Sequence, residues 1–300
     1  MGWRWQTADL TSNTSLPVLA LLTNALIWGL SWWPFRQMLS AGLHPLWATA
    51  LMYAAIVLAL TLARPGVWQQ ARAWPALALL AISSGLNNVA FNWAISIGDV
   101  VRVILLFYLM PAWAVLLAWR ILGERPSAAA LGRLALALTG VLLVLWPAQG
   151  GLQRLAGALS LADALALLGG FLFALTNVLL RRMQAVPSPA RMLAMFGGCT
   201  LMALLAALAG QPLGLVPPFP AFDLAWAGLA AALALALMLG NWALQYGAAR
   251  LAAGTTALVM LSEVVFASGS SMLAGSSAPD ARTLLGGALV LGAALAATRR

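Results

Sequence analysis

Residues 255–273 read TTALVMLSEVVFASGSSML, and eighteen of these nineteen residues are uncharged. An apolar run of about 20 residues is long enough to cross the ~30 Å hydrocarbon core of a bilayer as a helix. Similar runs recur along the whole chain, in which 63% of the residues are apolar and 8% are charged. The composition therefore predicts an integral membrane protein of the all-α class.

Proline, glycine and charged residues divide the chain into ten candidate transmembrane helices. The polar residues 1–15 are predicted to be a cytoplasmic tail without a cleaved signal peptide, because the apolar run that follows is too long for a signal-peptide core. The ten predicted helices cover residues 16–39, 45–63, 74–96, 100–121, 127–146, 157–181, 190–209, 224–246, 253–274 and 282–298.

Short patterns in the first half of the chain recur in the same order in the second half. Residues 91–94 (FNWA) return as 240–243 (GNWA), and the spacing of Trp, Ser, Arg and Met in 28–38 resembles that of Phe, Thr, Arg and Met in 173–183. These matches predict a duplicated unit of five helices. We assign residues 16–147 to the first repeat, 148–156 to a linker and 157–300 to the second repeat.

Arginine positions predict how the repeats are oriented. Because five is odd, the second copy must enter the membrane from the opposite side. With the N-terminus inside, twelve of the sixteen arginines fall in inner segments and four in outer segments. This asymmetry follows the positive-inside rule. It predicts two inverted repeats with both termini cytoplasmic.

Several local motifs then resemble a known family. They are Trp28-Gly29-x-Ser31 in the first helix, Pro111 with Gly123-Glu124 around the end of the fourth, and Ser262-Glu263-Val264 in the ninth. With ten helices and an inverted repeat, the chain resembles the drug/metabolite transporter superfamily, in its EamA-like branch. It is most similar there to the YddG-type exporters of aromatic and other amino acids. Val264 stands where the family pattern usually has proline, so the resemblance does not imply a helix kink there.

The resemblance implies export of amino acids, mainly neutral ones, and similar small metabolites across the bacterial inner membrane by alternating access. Inverted-repeat transporters place their substrate near the bilayer midplane, between the halves. Polar side chains in hydrocarbon need partners, so the polar helix faces should point into the bundle. We predict a cavity lined by helices one, three, four, six, eight and nine. Its candidate substrate-binding residues are Trp28, Ser31, Trp32, Asn87, Asn88, Phe91, Tyr108, Phe173, Asn177, Asn241, Gln245 and Glu263.

Each of these residues also has a purely structural explanation. Buried amides hold helices together without any substrate, and deep tryptophans serve in packing. Glu263 either ties the ninth helix to a facing helix as a neutral hydrogen-bonding acid, with Thr256 or Ser262 as a partner, or acts on a substrate amine or a proton. The structural role is the one we favour. The charges of Asp99–Arg102 and Glu124–Arg125 are interpreted as solvated turns.

Other classes of function fit the composition less well. The net charge of +9 comes from scattered arginines without any lysine, which does not predict a nucleic-acid partner. One His and one Cys supply too few ligands for a metal site or a catalytic cluster, and we expect no cofactor and no enzyme activity.

The alternatives that stay open are a multidrug or organic-cation exporter of the same superfamily and a non-transport membrane scaffold. A nucleotide-sugar carrier is disfavoured because all arginines fall in predicted loops or at helix ends. Proton coupling and oligomeric state are not determined by the sequence.

Overall fold

The residues that the structure describes form ten main helical units, which we call spans 1 to 10. A computed structural model describes residues 15–97, 100–146, 159–274 and 281–298, and within these ranges it contains helices and turns but no strand. The predicted all-α membrane fold is confirmed. The spans are Ser15–Leu30 with Trp32–Ser40 (span 1), Pro45–Ala63 (span 2), Leu77–Ile97 (span 3), Val100–Phe107 with Met110–Leu117 and the π-helical turn Ala118–Leu122 (span 4), Ala128–Val144 (span 5), Leu161–Arg182 (span 6), Ser188–Gly210 (span 7), Leu224–Ala248 (span 8), Ala253–Met260 with Ser262–Leu273 (span 9) and Ala281–Thr298 (span 10).

The predicted helices and the observed spans agree one for one, with ends that differ by at most four residues. Among the described residues, seven helical stretches are long and apolar enough to cross a membrane, and 128–144 and 284–297 are shorter apolar helices. A short helix, Val67–Arg72, lies between spans 2 and 3 and was not predicted. The tail, except for Ser15, and the linker 148–156 lie outside the described residues, so the repeat boundaries stay predictions.

Two spans are interrupted because proline removes a helix hydrogen bond. Span 1 breaks at Ser31, three residues before Pro34, and the Ser31 hydroxyl donates to the Trp28 carbonyl at 2.7 Å. Span 4 breaks at residues 108–109, just before Pro111. The missing N–H of Pro111 leaves the carbonyl of Phe107 without its helical donor.

Span 9 is interrupted at Leu261 although Val264 replaces the proline of the family pattern. The Leu261 amide is shared between the carbonyls of Ala257 and Leu258, at 3.3 and 3.2 Å. The Ser262 hydroxyl donates to the Val259 carbonyl at 2.6 Å. Serine bonding back to the preceding turn bends helices. A break therefore forms here without proline, which the sequence comparison did not imply.

The packing of the spans follows a two-fold pattern. Span 6 of the second half contacts spans 3 and 4 of the first half. In the same way, span 1 of the first half contacts spans 8 and 9 of the second half. Spans 2 and 7, spans 4 and 9, and spans 5 and 10 meet their own counterparts. This arrangement is the one that two inverted five-helix repeats produce. Leucines such as Leu19, Leu62 and Leu235 remain exposed on the outside of the bundle, where lipid would cover them.

At two contacts between spans, a pair of glycines allows the two helix backbones to touch. A Cβ atom on Gly85 would lie 2.5 Å from the carbonyl oxygen of Gly198, and one on Gly198 would clash with the Ala81 carbonyl. In the same way, Gly140 and Gly286 each present a carbonyl oxygen 2.5–2.6 Å from the position of the other's missing Cβ. Spans 3 and 7, and spans 5 and 10, are therefore in direct backbone contact, as small residues permit in membranes.

Ion pairs connect spans 4 and 6 at both ends of the bundle. We call the end where spans 6 and 8 finish and spans 7 and 9 begin the arginine-rich end. There Glu124 lies 3.6 Å from Arg181 and accepts a hydrogen bond from the Ala253 amide at 3.3 Å. At the opposite end, Arg102 pairs with the buried Asp163 at 2.7 Å. The interpretation of Arg102 and Glu124 as solvated turn residues was wrong, because neighbouring helix ends supply partners; Asp99 lies outside the described residues.

The single histidine caps a helix at the opposite end. His44 precedes Pro45, and its Nδ1 accepts a hydrogen bond from the Leu46 amide at 3.2 Å. Burial lowers the pKa of His44, so the imidazole stays neutral at pH 7 and Nδ1 keeps its lone pair. His44 therefore has a structural role at the start of span 2.

Candidate functional site

A cavity of about 60 Å³ lies in the middle of the bundle, near the halfway point of the spans that enclose it. Both halves of the chain contribute to it, through spans 1, 2 and 3 and spans 6, 7 and 8. None of its lining residues carries a charge. They are Asn24, Trp28, Tyr53, Ser84, Asn87, Asn88, Phe173, Thr176, Met195, Phe196, Cys199, Leu237, Asn241 and Leu244.

One wall of the cavity is organised around Asn88 in span 3. Its amide nitrogen donates to the Ser84 carbonyl at 3.1 Å and to the Cys199 sulfur at 3.2 Å. Its oxygen accepts from the Tyr53 hydroxyl at 3.4 Å. Asn88 thus joins spans 2, 3 and 7 beside the cavity, and the close contact at Gly198 brings span 7 near enough for these bonds.

The facing wall carries a chain of polar groups that runs from the cavity toward the arginine-rich end. The Asn241 amide donates to the Met195 sulfur at 3.6 Å. One helical turn further, Gln245 donates to the Asn241 oxygen at 2.6 Å. The Ser188 hydroxyl then donates to the Gln245 oxygen at 3.3 Å. Spans 7 and 8 are therefore connected by polar contacts between the cavity and this end.

Several buried amide atoms near the cavity have no hydrogen-bond partner among the described residues. They are the side-chain oxygens of Asn24 and Asn87 and both polar atoms of Asn177. A buried polar atom without a partner costs about 1–3 kcal/mol, so such atoms in native proteins usually bond water or a ligand. These amides are therefore available to bind water or a polar substrate.

An aromatic cluster joins spans 3, 4 and 6 next to the cavity. The ring of Phe107 lies 4.5 Å from that of Phe91 and 5.9 Å from those of Phe173 and Tyr108. Phe173 belongs both to this cluster and to the cavity lining. With Trp28 on the other side, the cavity has aromatic rings among its walls as well as amides.

Glu263 is bound to Tyr108, at the point where spans 4 and 9 are both interrupted. The Tyr108 hydroxyl donates a hydrogen bond to the Glu263 carboxyl group. Neither predicted partner bonds it, because Ser262 donates to Val259 and the hydroxyl of Thr256 has no partner in the described part of the chain. The acid therefore connects the ninth span to the fourth, and neither it nor Tyr108 is among the residues that line the central cavity.

The twelve predicted site residues divide into three groups. Trp28, Asn87, Asn88, Phe173 and Asn241 line the cavity. Phe91, Asn177 and Gln245 lie next to it, as described above. Farther away, Ser31 bonds the backbone at the break of span 1, Trp32 donates to Ser270 at 3.0 Å, and Tyr108 pairs with Glu263.

Sequence reasoning missed the contributions of spans 2 and 7 and placed spans 4 and 9 at the cavity instead. Spans 2 and 7 have few polar residues near their midpoints, so their contributions to the lining resemble core residues: Tyr53, Met195, Phe196 and Cys199. A signal that could have found Tyr53 is its rarity, because the chain has three tyrosines in all.

A second cavity, of about 210 Å³, lies at the arginine-rich end between spans 4, 5 and 9. It shares no lining residue with the central cavity. Its polar residues are Glu124, Arg125, Ser127, Arg133 and Thr255, and the rest of its lining is apolar. It is larger than the central cavity, but it lies at the end of the bundle.

Comparison with known proteins gives a family match for the first half of the chain and a fold match for nearly all of it. Residues 15–146, which cover the first five spans, match the EamA-like transporter family. A solved structure titled "Crystal structure of protein" matches with a TM-score of 0.76 and 22% sequence identity, over 94% of this chain and 97% of its own. This likeness shows the fold. Among curated proteins, no match to the chain was found.

Proposed function

We propose that the chain is an EamA-like transporter that exports amino acids and similar small metabolites by alternating access. The observation that carries this proposal is the uncharged central cavity between the two halves, lined by amides, hydroxyls and aromatic rings. Amides and hydroxyls can bind a zwitterion through hydrogen bonds, and rings suit neutral and aromatic side chains. A nucleotide-sugar carrier would require cationic groups around its phosphates.

The size of the cavity supports a mechanism in which the spans move. A volume of about 60 Å³ is well below the roughly 300–1,000 Å³ of typical ligand pockets. An amino acid therefore requires the walls to separate before it can bind. Spans of both predicted repeats form the walls, and rocking of one repeat against the other would open the cavity to one side at a time.

The proposal is tested by uptake into liposomes that contain the purified protein. We expect accumulation of labelled phenylalanine or leucine, whereas a scaffold protein would give none. Transport of an organic cation in place of the amino acids would favour the multidrug alternative. Dependence of uptake on an imposed pH gradient would establish proton coupling.

Loss of Asn88 should impair this transport. Asn88→Ala removes an amide from the cavity wall, and each lost hydrogen bond is worth about 1 kcal/mol. We therefore expect roughly a tenfold fall in kcat/KM for uptake. Asn92→Ala is the matched control, because Asn92 lies one turn along the same helix, bonds Thr49 at 3.2 Å and does not line the cavity. Equal effects of the two substitutions would contradict the proposed site.

Both termini and the arginine-rich end are proposed to be cytoplasmic, as the arginine asymmetry indicates. Single cysteines introduced into a Cys199→Ser background at Leu213 and Gln69 test this. Both positions are exposed, in the connection after span 7 and in the helix after span 2. A membrane-impermeant thiol reagent should label Leu213→Cys in intact cells and Gln69→Cys only after lysis. The reverse pattern would overturn the topology.

A further inference from the structure

Arg191 is a buried cation that has no counterion among the described residues. It lies in the first turn of span 7 and is 5% exposed, and its Nε and Nη1 atoms have no hydrogen-bond partner among the described residues. The arginine count assigns Arg191 to a segment on the cytoplasmic side, but its guanidinium is buried between the helices. Burying an unpaired charge costs several kcal/mol, so a fold rarely retains one without use for it.

The described part of the chain supplies no acid to neutralise Arg191. Its four acidic residues are all engaged elsewhere: Glu124 with Arg181, Asp163 with Arg102, Asp223 with the Ala225 amide, and Glu263 with Tyr108. The charge that acts on Arg191 is of the same sign, namely that of Arg250 at the end of span 8. The site is therefore electropositive and can accept an anion.

Arg191 is placed between the arginine-rich end and the central cavity. It lies one helical turn before Met195, which lines the cavity and receives the bond from Asn241. It lies one turn after Ser188, which bonds Gln245. Residues three and four apart share a helix face. Arg191 is therefore on the face that carries the polar chain toward the cavity.

We propose that Arg191 binds the carboxylate of the substrate on its way from the arginine-rich end to the central cavity. The inference rests on the proposed transport function and narrows its substrates to compounds with a free carboxylate. A guanidinium forms two parallel hydrogen bonds to a carboxylate, which would supply the buried nitrogens with partners. Organic cations would be repelled by Arg191 and Arg250 together.

The experiment compares three ligands that share one ring system: phenylalanine, phenylalaninamide and phenylethylamine. Wild-type proteoliposomes should take up phenylalanine with a kcat/KM at least about tenfold above that of the two compounds without a carboxylate. Arg191→Gln should raise KM for phenylalanine about tenfold or more and reduce this preference. Arg191→Lys, which keeps the charge but loses the fork of donors, should retain part of it. Arg182→Gln removes an exposed arginine at the same end and is the control that should behave as wild type.

Stability separates a binding role from a structural one. Removing an unpaired buried charge should leave the melting temperature of Arg191→Gln equal to or above that of wild type. A lower melting temperature with an unchanged KM would overturn the inference. An equal effect of Asp9→Asn on KM would overturn it as well, because Asp9, the acid of the N-terminal tail outside the described residues, would then be the counterion of Arg191. If the wild-type protein transports phenylalanine and Arg191→Gln keeps its KM and preference, the inference fails alone. If wild type transports none of the amino acids, the proposed function fails and the inference with it.

Discussion

Replacing Gly198 with alanine should destabilise the protein by about 3 kcal/mol, whereas Gly197→Ala should be neutral or stabilising. A Cβ atom at position 198 would clash with the Ala81 carbonyl of span 3, and a helix backbone cannot rotate away as a side chain can. Overpacking costs typically 1–3 kcal/mol, and contact with backbone belongs at the upper end. At Gly197 an added Cβ meets nothing within 4 Å, and alanine favours a helix more than glycine does.

The pair of variants differs by one position in one helix, so it isolates the contact itself. The difference in stability is measured by heating the two purified proteins and recording the fraction of each that still elutes as a single species. Because Asn88 and Cys199 bond across the same interface at 3.2 Å, Gly198→Ala should also reduce transport. Equal stability of the two variants would show that spans 3 and 7 do not depend on this contact.

The spans could be predicted from the sequence because lipid imposes a simple requirement. Backbone polar groups in hydrocarbon have to be hydrogen-bonded, and a helix achieves this within one segment, so each crossing needs an apolar run of known length. Several polar residues of the cavity could be predicted for a similar reason, because polar side chains also need partners in hydrocarbon. Asn88 and Asn241 are costly in hydrocarbon, and both lie inside the bundle.

The remaining features depend on contacts between distant parts of the chain. Tyr53 and Cys199 look like core residues until spans 2 and 7 are placed beside Asn88. Gly197 and Gly198 are adjacent and identical in sequence, and only the position of Ala81 distinguishes them. Arg191 belongs by its position to a helix end, and its burial follows from the packing of span 7 against neighbouring spans. Such pairings leave no local pattern in the sequence.

For Glu263, the structure replaces the predicted partners, Thr256 and Ser262, with Tyr108. The acid bonds Tyr108, and both residues lie where their spans are interrupted. The backbone of span 9 also packs closely against span 1 here, because a Cβ atom on Gly29 would lie 2.9 Å from the backbone carbonyl oxygen of Glu263. The contact with Tyr108 favours the role of a tie between spans 4 and 9.

Glu263→Ala should therefore destabilise the protein strongly, while Glu263→Gln should fold and transport nearly as wild type. Tyr108 is only 7% exposed, and alanine at position 263 would leave its hydroxyl without this partner, at a cost of about 1–3 kcal/mol. The substitution also removes packing volume. Glutamine keeps the shape and an oxygen that accepts from the tyrosine hydroxyl. Melting temperature and liposome uptake measure the two effects separately.

Tyr108→Phe provides the reciprocal test. If the hydrogen bond is the purpose of the acid, Tyr108→Phe and Glu263→Ala together should destabilise by less than the sum of the single changes, with a coupling of about 0.5–3 kcal/mol. Additive effects would show that the two side chains do not depend on each other. A Glu263→Gln variant that folds well but loses uptake, or loses its pH dependence, would instead assign the carboxylate to the substrate amine or to a coupled proton. The structural role predicts the opposite, because a neutral amide can hold spans 4 and 9 together as well as the acid does.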